Sequence, residues 1–325
     1  MIAGLIEHDR GRLDELSLEM LTCGRRLADG LAVPLHAIVI GREAPSLVER
    51  LAGYGVSTAH LVQHDRLDDY APEAWAQSIV EVVGAAQPAL VMAAGSERGN
   101  EVMAHVAARL DSPLAVNCTE VRPGDPFRVT RLRWGGSLLE EAHLGGAVRL
   151  LTVAPHAVVA EAAPAAAPLT LQALTPALTD RHFRVRLTER VETPPGKVSL
   201  SDARVVIGGG RGVGSAEGFR ALEELAELLG GTVGCSRAVT SLGWRPHADQ
   251  VGQTGTRIAP DLYVACGVSG AIQHMVGCKG AKRLLAINTD PEAPIVAQAD
   301  YAVIGDLHRV VPAVIAEIRK GRQVP

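Results

Sequence analysis

The stretch ARVVIGGGRGVGSAEGFRALEELAELLGG, residues 203–231, reads as a buried strand, a glycine-rich turn and an amphipathic helix in direct succession. Phe219, Leu222, Leu225, Ala226 and Leu229 recur on one face at helical spacing, so that face packs on a sheet. Such a turn brings backbone N–H groups close to a phosphate at the positive end of a helix. The glycines do not fall as GxGxxG, and no GK[ST] follows. Taken alone, the segment fits a plain tight turn as well as a nucleotide contact.

Downstream, QVGQTGTRIAPDLYVACGVSGAIQH (250–274) repeats the arrangement: a glycine-rich loop, a strand, then Gly267-Val268-Ser269-Gly270 leading into a helix. A strand from Arg283 to Asn288, a turn at Asp290-Pro291, a strand from Tyr301 to Gly305 and a helix ending near Lys320 complete the series. Short polar groups thus sit after strand C-termini, where ligands bind in open parallel sheets. The expected unit is a Rossmann-like, dinucleotide-holding domain over about 197–325.

Upstream, Ile2 to Ile6, Leu35 to Ile40, Ala59 to Val62 and Ala89 to Ala94 are strand candidates. The helical segments between them start at Asp14, Pro45 and Pro72 and end near Gly or Pro. This is a βαβ series and predicts a parallel sheet. From Leu114 to Val153, turn signals at Pro123-Gly124-Asp125-Pro126, Gly135-Gly136 and Gly145-Gly146 predict a small antiparallel extension. Residues 155–200, rich in Pro and Ala, are expected to be a linker, with Phe183, Val185 and Leu187 of FRVRLTERV facing a sheet. The fold class is therefore α/β with two domains, 1–190 and 197–325.

Hydrophobic residues make up 47% of the chain and aromatics 3%, so Ala, Val, Leu and Ile fill the cores, as suits helices on parallel sheets. A net charge of -4 without long charge runs argues against nucleic acid as a partner. No stretch reaches the ~20 apolar residues that a membrane helix needs, and no signal segment is evident, so a cytoplasmic or matrix-like location is expected. The five cysteines are never spaced as CxxC and read as buried thiols. Neither metal-ligand spacing nor a GxSxG elbow is present. Of the 11 histidines, only His274 is expected to be more than a solvated or packed side chain.

The segments GGGRGVGS, CSRAVTSLGW, ADQVGQTG, IAPDLYVACGVSGAIQHMVG, AINTDPEAPI and ADYAVIGDLHRVVP resemble the alpha subunit of electron-transfer flavoprotein, in order and spacing. IEHDRGRLDELSLEMLT and ERGNEVMAHVAARLDSPL resemble the family's first domain more loosely, so the resemblance spans essentially the whole chain. It implies an N-terminal nucleotide-hydrolase-like domain packed on a beta subunit, and a C-terminal domain, similar to that of deoxyhypusine synthase, that binds FAD. The implied role is an electron carrier, not an enzyme, passing single electrons from flavin dehydrogenases, as in beta-oxidation, to a membrane quinone-linked oxidoreductase or similar acceptor.

Carried over by position, Arg211 lies near the pyrophosphate, and Ser236 and Arg237 place a guanidinium beside the isoalloxazine. Val251, Gly252, Gln253 and Thr254 line the flavin edge and its N5. Ser269, Gly270, Ala271, Ile272, Gln273 and His274 wrap the ribityl and pyrophosphate, with His274 reaching the pyrimidine side. Asn288, Asp306 and Leu307 hold the adenosine half. An Arg about 4 Å from a reduced flavin contributes about 4 kcal/mol at an effective dielectric of about 20. That equals about 170 mV for one electron, well above the ~0.3–1 kcal/mol of an exposed helix terminus. Thr254 donates through its hydroxyl without acting as a proton acid. Two departures from the family pattern stand out: Gly214, where a Lys or another polar residue is common, and RLRWGGSLLEEA (131–142). The first is expected to loosen a phosphate or redox-partner contact, and the second leaves the details of docking open.

Two rival classes remain. An NAD-dependent transferase of the deoxyhypusine-synthase type needs a nucleophilic Lys among carboxylates, and Lys279 and Lys282 have no neighbouring acids in sequence. A structural partner that has lost its cofactor would not be expected to keep Arg237, Thr254 and His274.

Overall fold

The computed structural model describes residues 1–166, 168–189 and 198–323. The chain forms two compact units, Met1–Val191 and Glu192–Pro325. The expected junction, 190–197, lies outside the described residues.

The first unit is built on a sheet of nine strands: β1 (Ile2–Ile6), β4 (Leu35–Ile40), β5 (Thr58–Val62), β6 (Leu90–Ala94), β7 (Leu114–Arg122), β8 (Phe127–Arg133), β9 (Leu138–Leu144), β10 (Arg149–Val153) and β11 (Thr170–Leu174). A two-residue ribbon, β2 (His8–Asp9) with β3 (Arg12–Leu13), follows β1. The sheet order is β11-β5-β4-β1-β6-β10-β7-β8-β9. Every residue of β1, β5 and β6 is buried, as expected of strands in a parallel sheet covered by helices on both faces. These helices are α1 (Glu15–Leu31), α2 (Val48–Ala52), α3 (Pro72–Ala86) and α4 (Glu97–Leu110). Asp14 Oδ1 accepts the Leu16 N–H at 2.8 Å and starts α1; Ser96 Oγ accepts the Gly99 N–H at 2.8 Å and starts α4. The segment opened by Pro45 divides into a 3-10 turn, Ala44–Leu47, and the short α2.

Two expectations are corrected here. The region 114–153 is not wholly an antiparallel extension: β7, β8 and β9 form the antiparallel arm, but β10 returns between β6 and β7 and runs parallel to both. Its continuous buried run, Leu150 to Val153, is the mark of an interior parallel strand. The region 155–200 is also more than a linker. Within it β11 adds in parallel to the free edge of β5, held by backbone bonds such as Gln63 N–H to Leu174 O at 3.0 Å. Its first four residues are exposed, so no hydrophobic alternation announced it. Phe183 is buried in a 3-10 turn, Asp180–Phe183, beneath the Arg66 guanidinium at 3.8 Å from the ring centre. Val185 and Leu187, expected on a sheet, are 52% and 38% exposed.

The second unit has five strands, β12 (Val205–Gly209), β13 (Thr232–Cys235), β14 (Leu262–Cys266), β15 (Leu284–Asn288) and β16 (Tyr301–Ile304), all parallel, in the order β13-β12-β14-β15-β16. Its helices are α5 (Phe219–Leu228), α6 (Arg237–Ser241), α7 (Ile272–Cys278), α8 (Pro294–Gln298) and α9 (Leu307–Gln323). The expected face of α5 is the packed one: Phe219, Leu222, Leu225 and Ala226 are buried, and Leu229 packs beside them. After β12 the chain goes first to β13 and then crosses to β14 on the other side, so the switch point lies between β12 and β14. Among the described residues, no helix is long and apolar enough to cross a membrane.

Candidate functional site

A cleft of about 390 Å³ opens at the C-terminal edge of the second sheet. Segments following all five strands line it: Arg211 and Gly212 after β12, Ser236 and Ala238 after β13, Gly267 and Ser269 after β14, Asn288 to Asp290 at β15, and Gly305 to Leu307 after β16. Its floor is backbone. The two glycine clusters interlock through Gly210 N–H to Cys266 O at 2.9 Å and Gly212 N–H to Gly267 O at 3.1 Å. A Cβ at Gly210 would stand 2.1 Å from the Gly267 carbonyl oxygen, so no larger residue fits without moving the turn.

Six of the expected residues meet in this cleft: Arg211, Ser236, Ser269, Asn288, Asp306 and Leu307. Arg211 is exposed, and its guanidinium has no partner among the described residues. Asn288 Nδ2 donates to Val268 O at 2.8 Å and Oδ1 accepts the Asp290 N–H at 3.1 Å, so its amide shapes the wall. Asp306 Oδ1 accepts the His308 N–H at 2.9 Å and caps α9. Leu307 is buried in the core below. Arg237 opens α6 between two lining residues, exposed and likewise without a partner among the described residues.

The other expected residues form a second group, where the loop Val251 to Gly255 lies against the start of α7. Gln253 N–H donates to Gln273 O at 2.7 Å, and Thr256 N–H to Gln250 O at 2.7 Å. Gly252 has φ +149, and a Cβ on Gly277 would fall 2.3 Å from Gly252, so this contact needs glycine on both sides. Gly270 has φ +82 and touches the backbone of Ile295. Gln253, Thr254, Ser269, Ala271, Ile272 and Gln273 are exposed, whereas Val251, Gly252, Gly270 and His274 are buried. Buried Gln250 donates through Nε2 to Thr254 Oγ1 at 3.0 Å and accepts from Thr240 Oγ1 at 2.7 Å. The Thr254 oxygen is thereby occupied as an acceptor and its own proton is left to donate.

His274 differs from a surface-facing ligand. It is 7% exposed, and its Nε2 lies 2.7 Å from the hydroxyl of Tyr263, which is fully buried. Its Nδ1 is buried without a hydrogen bond. Burial lowers its pKa to about 4 against an opposing pull from the Val251 carbonyl, so the ring is neutral at pH 7. Burial also pushes the thiols of Cys235 and Cys266, at the ends of β13 and β14, up to about 12, so they are inert.

Sequence reasoning missed Tyr263, Gln250 and Asp290. Gln250 opens the glycine-rich loop without a signal of its own, and Tyr263 sits in an apolar strand with its polar tip as the one signal. Lys282 is not free of acids, since its Nζ is 2.7 Å from Asp261 Oδ1, but that exposed pair lies outside the cleft. Gly214 has φ +85, a conformation that disfavours the side chain common in the resembled family. In the segment 131–142, Trp134, Leu138 and Leu139 are 79%, 55% and 67% exposed around the β8–β9 hairpin.

Residues 2–179 match the electron transfer flavoprotein domain, and residues 199–279 match the electron transfer flavoprotein FAD-binding domain. The chain is 38% identical over 319 residues to the electron transfer flavoprotein subunit alpha of Mycobacterium tuberculosis, covering 98% of each protein. It is 36% identical over 319 residues to Protein FixB of Clostridium saccharobutylicum, covering 97% of this chain and 95% of that one. With the electron transfer flavoprotein subunit alpha of Thermoanaerobacterium thermosaccharolyticum the identity is 32% over 317 residues, covering 97% and 96%.

Proposed function

This chain belongs to the electron transfer flavoprotein family as an alpha subunit with FAD as its cofactor, and from that premise we propose that it relays single electrons from flavin dehydrogenases to a membrane quinone-linked oxidoreductase or a similar acceptor. It does so paired with a beta subunit, against which the first domain packs. The bound flavin supplies reversible one-electron chemistry; the chain's residues bind it, orient it and set its potential.

The observation that carries this assignment is the glycine-floored cleft at the β12/β14 switch point, lined from all five strand ends. Arg211 stands at its edge as a partner for phosphate oxygens, and the interlocked glycines keep side chains off the floor so that a ligand can lie close against the backbone. Asn288, Asp306 and Leu307 offer polar and apolar contacts to the adenosine half. The loop Val251 to Thr254 with Ser269 to His274 takes the ring, and Thr254 donates outward because Gln250 occupies its oxygen. Ser236 and Arg237 bring a fixed positive charge to the reduced ring. The test is the absorbance spectrum of the protein purified with its beta subunit. Flavin bands are expected; a colourless heterodimer that takes up no added FAD would overturn the assignment.

A further inference from the structure

Gln250 links two elements that the preceding assignment places around the flavin ring. It is 1% exposed, and its side-chain amide has a threonine at either end: Nε2 donates to Thr254 Oγ1 at 3.0 Å, and Oε1 accepts from Thr240 Oγ1 at 2.7 Å. Thr254 belongs to the glycine-rich loop, whereas Thr240 lies on α6, the helix that Arg237 opens. The backbone here is tied down. The Gln250 N–H donates to His247 O at 2.9 Å, its carbonyl accepts the Thr256 N–H at 2.7 Å, and the Val251 N–H reaches Cys235 O at 2.8 Å. A Cβ at Gly255 would fall 2.3 Å from the Gln250 carbonyl oxygen and 2.9 Å from its Cβ, so the loop closes tightly on this residue. The amide end is what can still turn, because the last torsion of a glutamine is broad and roughly two-fold.

Both settings of that torsion keep the amide and the two hydroxyls bonded. In the one described, Thr240 donates to Oε1, Nε2 donates to Thr254, and the Thr254 proton is left to point outward. After half a turn, Nε2 donates to Thr240 Oγ1, and the Thr240 proton goes to Arg237 O, which already lies 2.9 Å from that oxygen. The Thr254 hydroxyl then donates inward to Oε1. Neither end of the amide loses its partner, so the desolvation penalty that usually locks a buried amide is absent. Only the outward side of Thr254 changes, from donor to acceptor. Thr254 is exposed, so that side is open to a ligand.

We propose that Gln250 is a positioning residue of the FAD site: by turning its buried amide end for end between Thr240 and Thr254, it lets the Thr254 hydroxyl meet the cofactor as a donor in one setting and as an acceptor in the other. This role rests on the placement of the ring against Thr254 in the preceding assignment. A ring nitrogen that carries a lone pair when oxidised and a proton when fully reduced needs both kinds of partner. A hydroxyl locked as a donor would oppose the second form. The chain answers with one torsion, without moving its backbone.

The test uses the FAD-loaded heterodimer with its beta subunit, ¹⁵N-labelled at glutamine side chains and ¹³C-labelled at threonine methyls. In the oxidised protein the Gln250 Nε2 protons are expected to show their strong nuclear Overhauser contact with the Thr254 methyl, and after full reduction with dithionite with the Thr240 methyl. The same contact in both forms overturns the proposal, since a purely structural amide would not respond to the cofactor. Gln250→Glu keeps the shape of the side chain, but an ionised carboxylate only accepts, which fixes Thr254 as an outward acceptor. It is expected to weaken the binding of oxidised FAD by about threefold to tenfold, and that loss should vanish in a Thr254→Val background. A loss that persists there belongs to the added charge and also overturns the proposal. If the heterodimer takes up no FAD and shows the Thr254 contact alone, the cofactor assignment has failed and with it the positioning role, while the clamp between α6 and the loop stands. Should Gln250→Glu not fold, the amide contacts of the unsubstituted protein decide.

Discussion

At the switch point of the first sheet, between β1 and β6, the strand ends carry side chains that satisfy one another; at that of the second, between β12 and β14, they carry glycines. In the first, Ser96 Oγ donates to Glu7 Oε1 at 2.6 Å, Thr152 Oγ1 to Asn100 Oδ1 at 2.7 Å, and the Asn117 N–H to Thr152 Oγ1 at 2.8 Å. Asn100 Nδ2 closes the set on Gly95 O at 3.1 Å. The crevice is filled from within. In the second, Arg211 and Arg237 stand without partners among the described residues around a cleft of about 390 Å³. Parallel topology alone therefore does not make a ligand site. What makes one is the removal of side chains from the strand ends, leaving polar groups with nothing of their own to bind.

Glycine substitutions test this contrast most severely. Gly210→Val drives a side chain into the Gly267 carbonyl and the Val268 Cα. We expect an overpacking penalty of about 1–3 kcal/mol and protein purified without FAD, read from the flavin absorbance per protein. Gly95→Val meets Asn117 Oδ1 and the Val153 carbonyl instead, at 2.5 and 2.7 Å from its Cβ, and should destabilise the first unit by a similar amount with FAD content unchanged. Equal loss of flavin in both variants would break the contrast.

Glu7 sharpens it through pH. Burial raises its pKa from the ordinary 4.5 to about 7, a rise opposed by the Ser96 hydrogen bond, supported by Asp14 and opposed by Arg98. Between these values the folded state holds a proton that the unfolded state has released, so the contribution of Glu7 to the stability of the first unit is full below about pH 4.5 and is lost as pH rises through 7. The shift corresponds to about 3 kcal/mol. Glu7→Gln should recover up to that amount at pH 8 and almost none at pH 4 in denaturant unfolding. An equal gain at both pH values would show that the carboxyl has the same pKa in the folded and the unfolded chain.

Arg237→Ala comes next. The full Coulomb scale falls for an exposed guanidinium, leaving roughly 60 mV of lowered flavin potential, or tenfold, measured by spectroelectrochemistry. An unchanged potential refutes the role of this charge. Asp306 gives the smallest effect, because it does two things at once. Asp306→Ala should cost about 1 kcal/mol through the lost cap of α9, and Asp306→Ser should restore the cap. Any weakening of FAD binding common to both belongs to the carboxylate as a ligand.

Much of this was legible in the residues. The cap at Asp14, the packed face of α5 and both glycine loops were readable because each rests on local chemistry. β10 and β11 were not, since their places depend on which edges distant strands leave open: β10 fills the gap beside β6, and exposed β11 has no pattern beyond its backbone bonds. Six of the expected site residues meet in the cleft, but which side chains spend their polar atoms on one another is a three-dimensional fact. Glu7 with Ser96, Gln250 with Thr254 and Tyr263 with His274 are separated by 89, 4 and 11 positions, and no spacing rule unites them.

The late return of β10 has a consequence for synthesis. β6 and β7 leave the ribosome with a vacancy between them that the chain fills after the whole β8–β9 hairpin has been made. Nascent chains arrested before Arg149 hold an interior strand with a bare flank, the kind of surface that recruits chaperones or aggregates. Once Val153 has emerged, that flank is sealed on both sides, and protease resistance of the first unit should switch on over these few residues of translation.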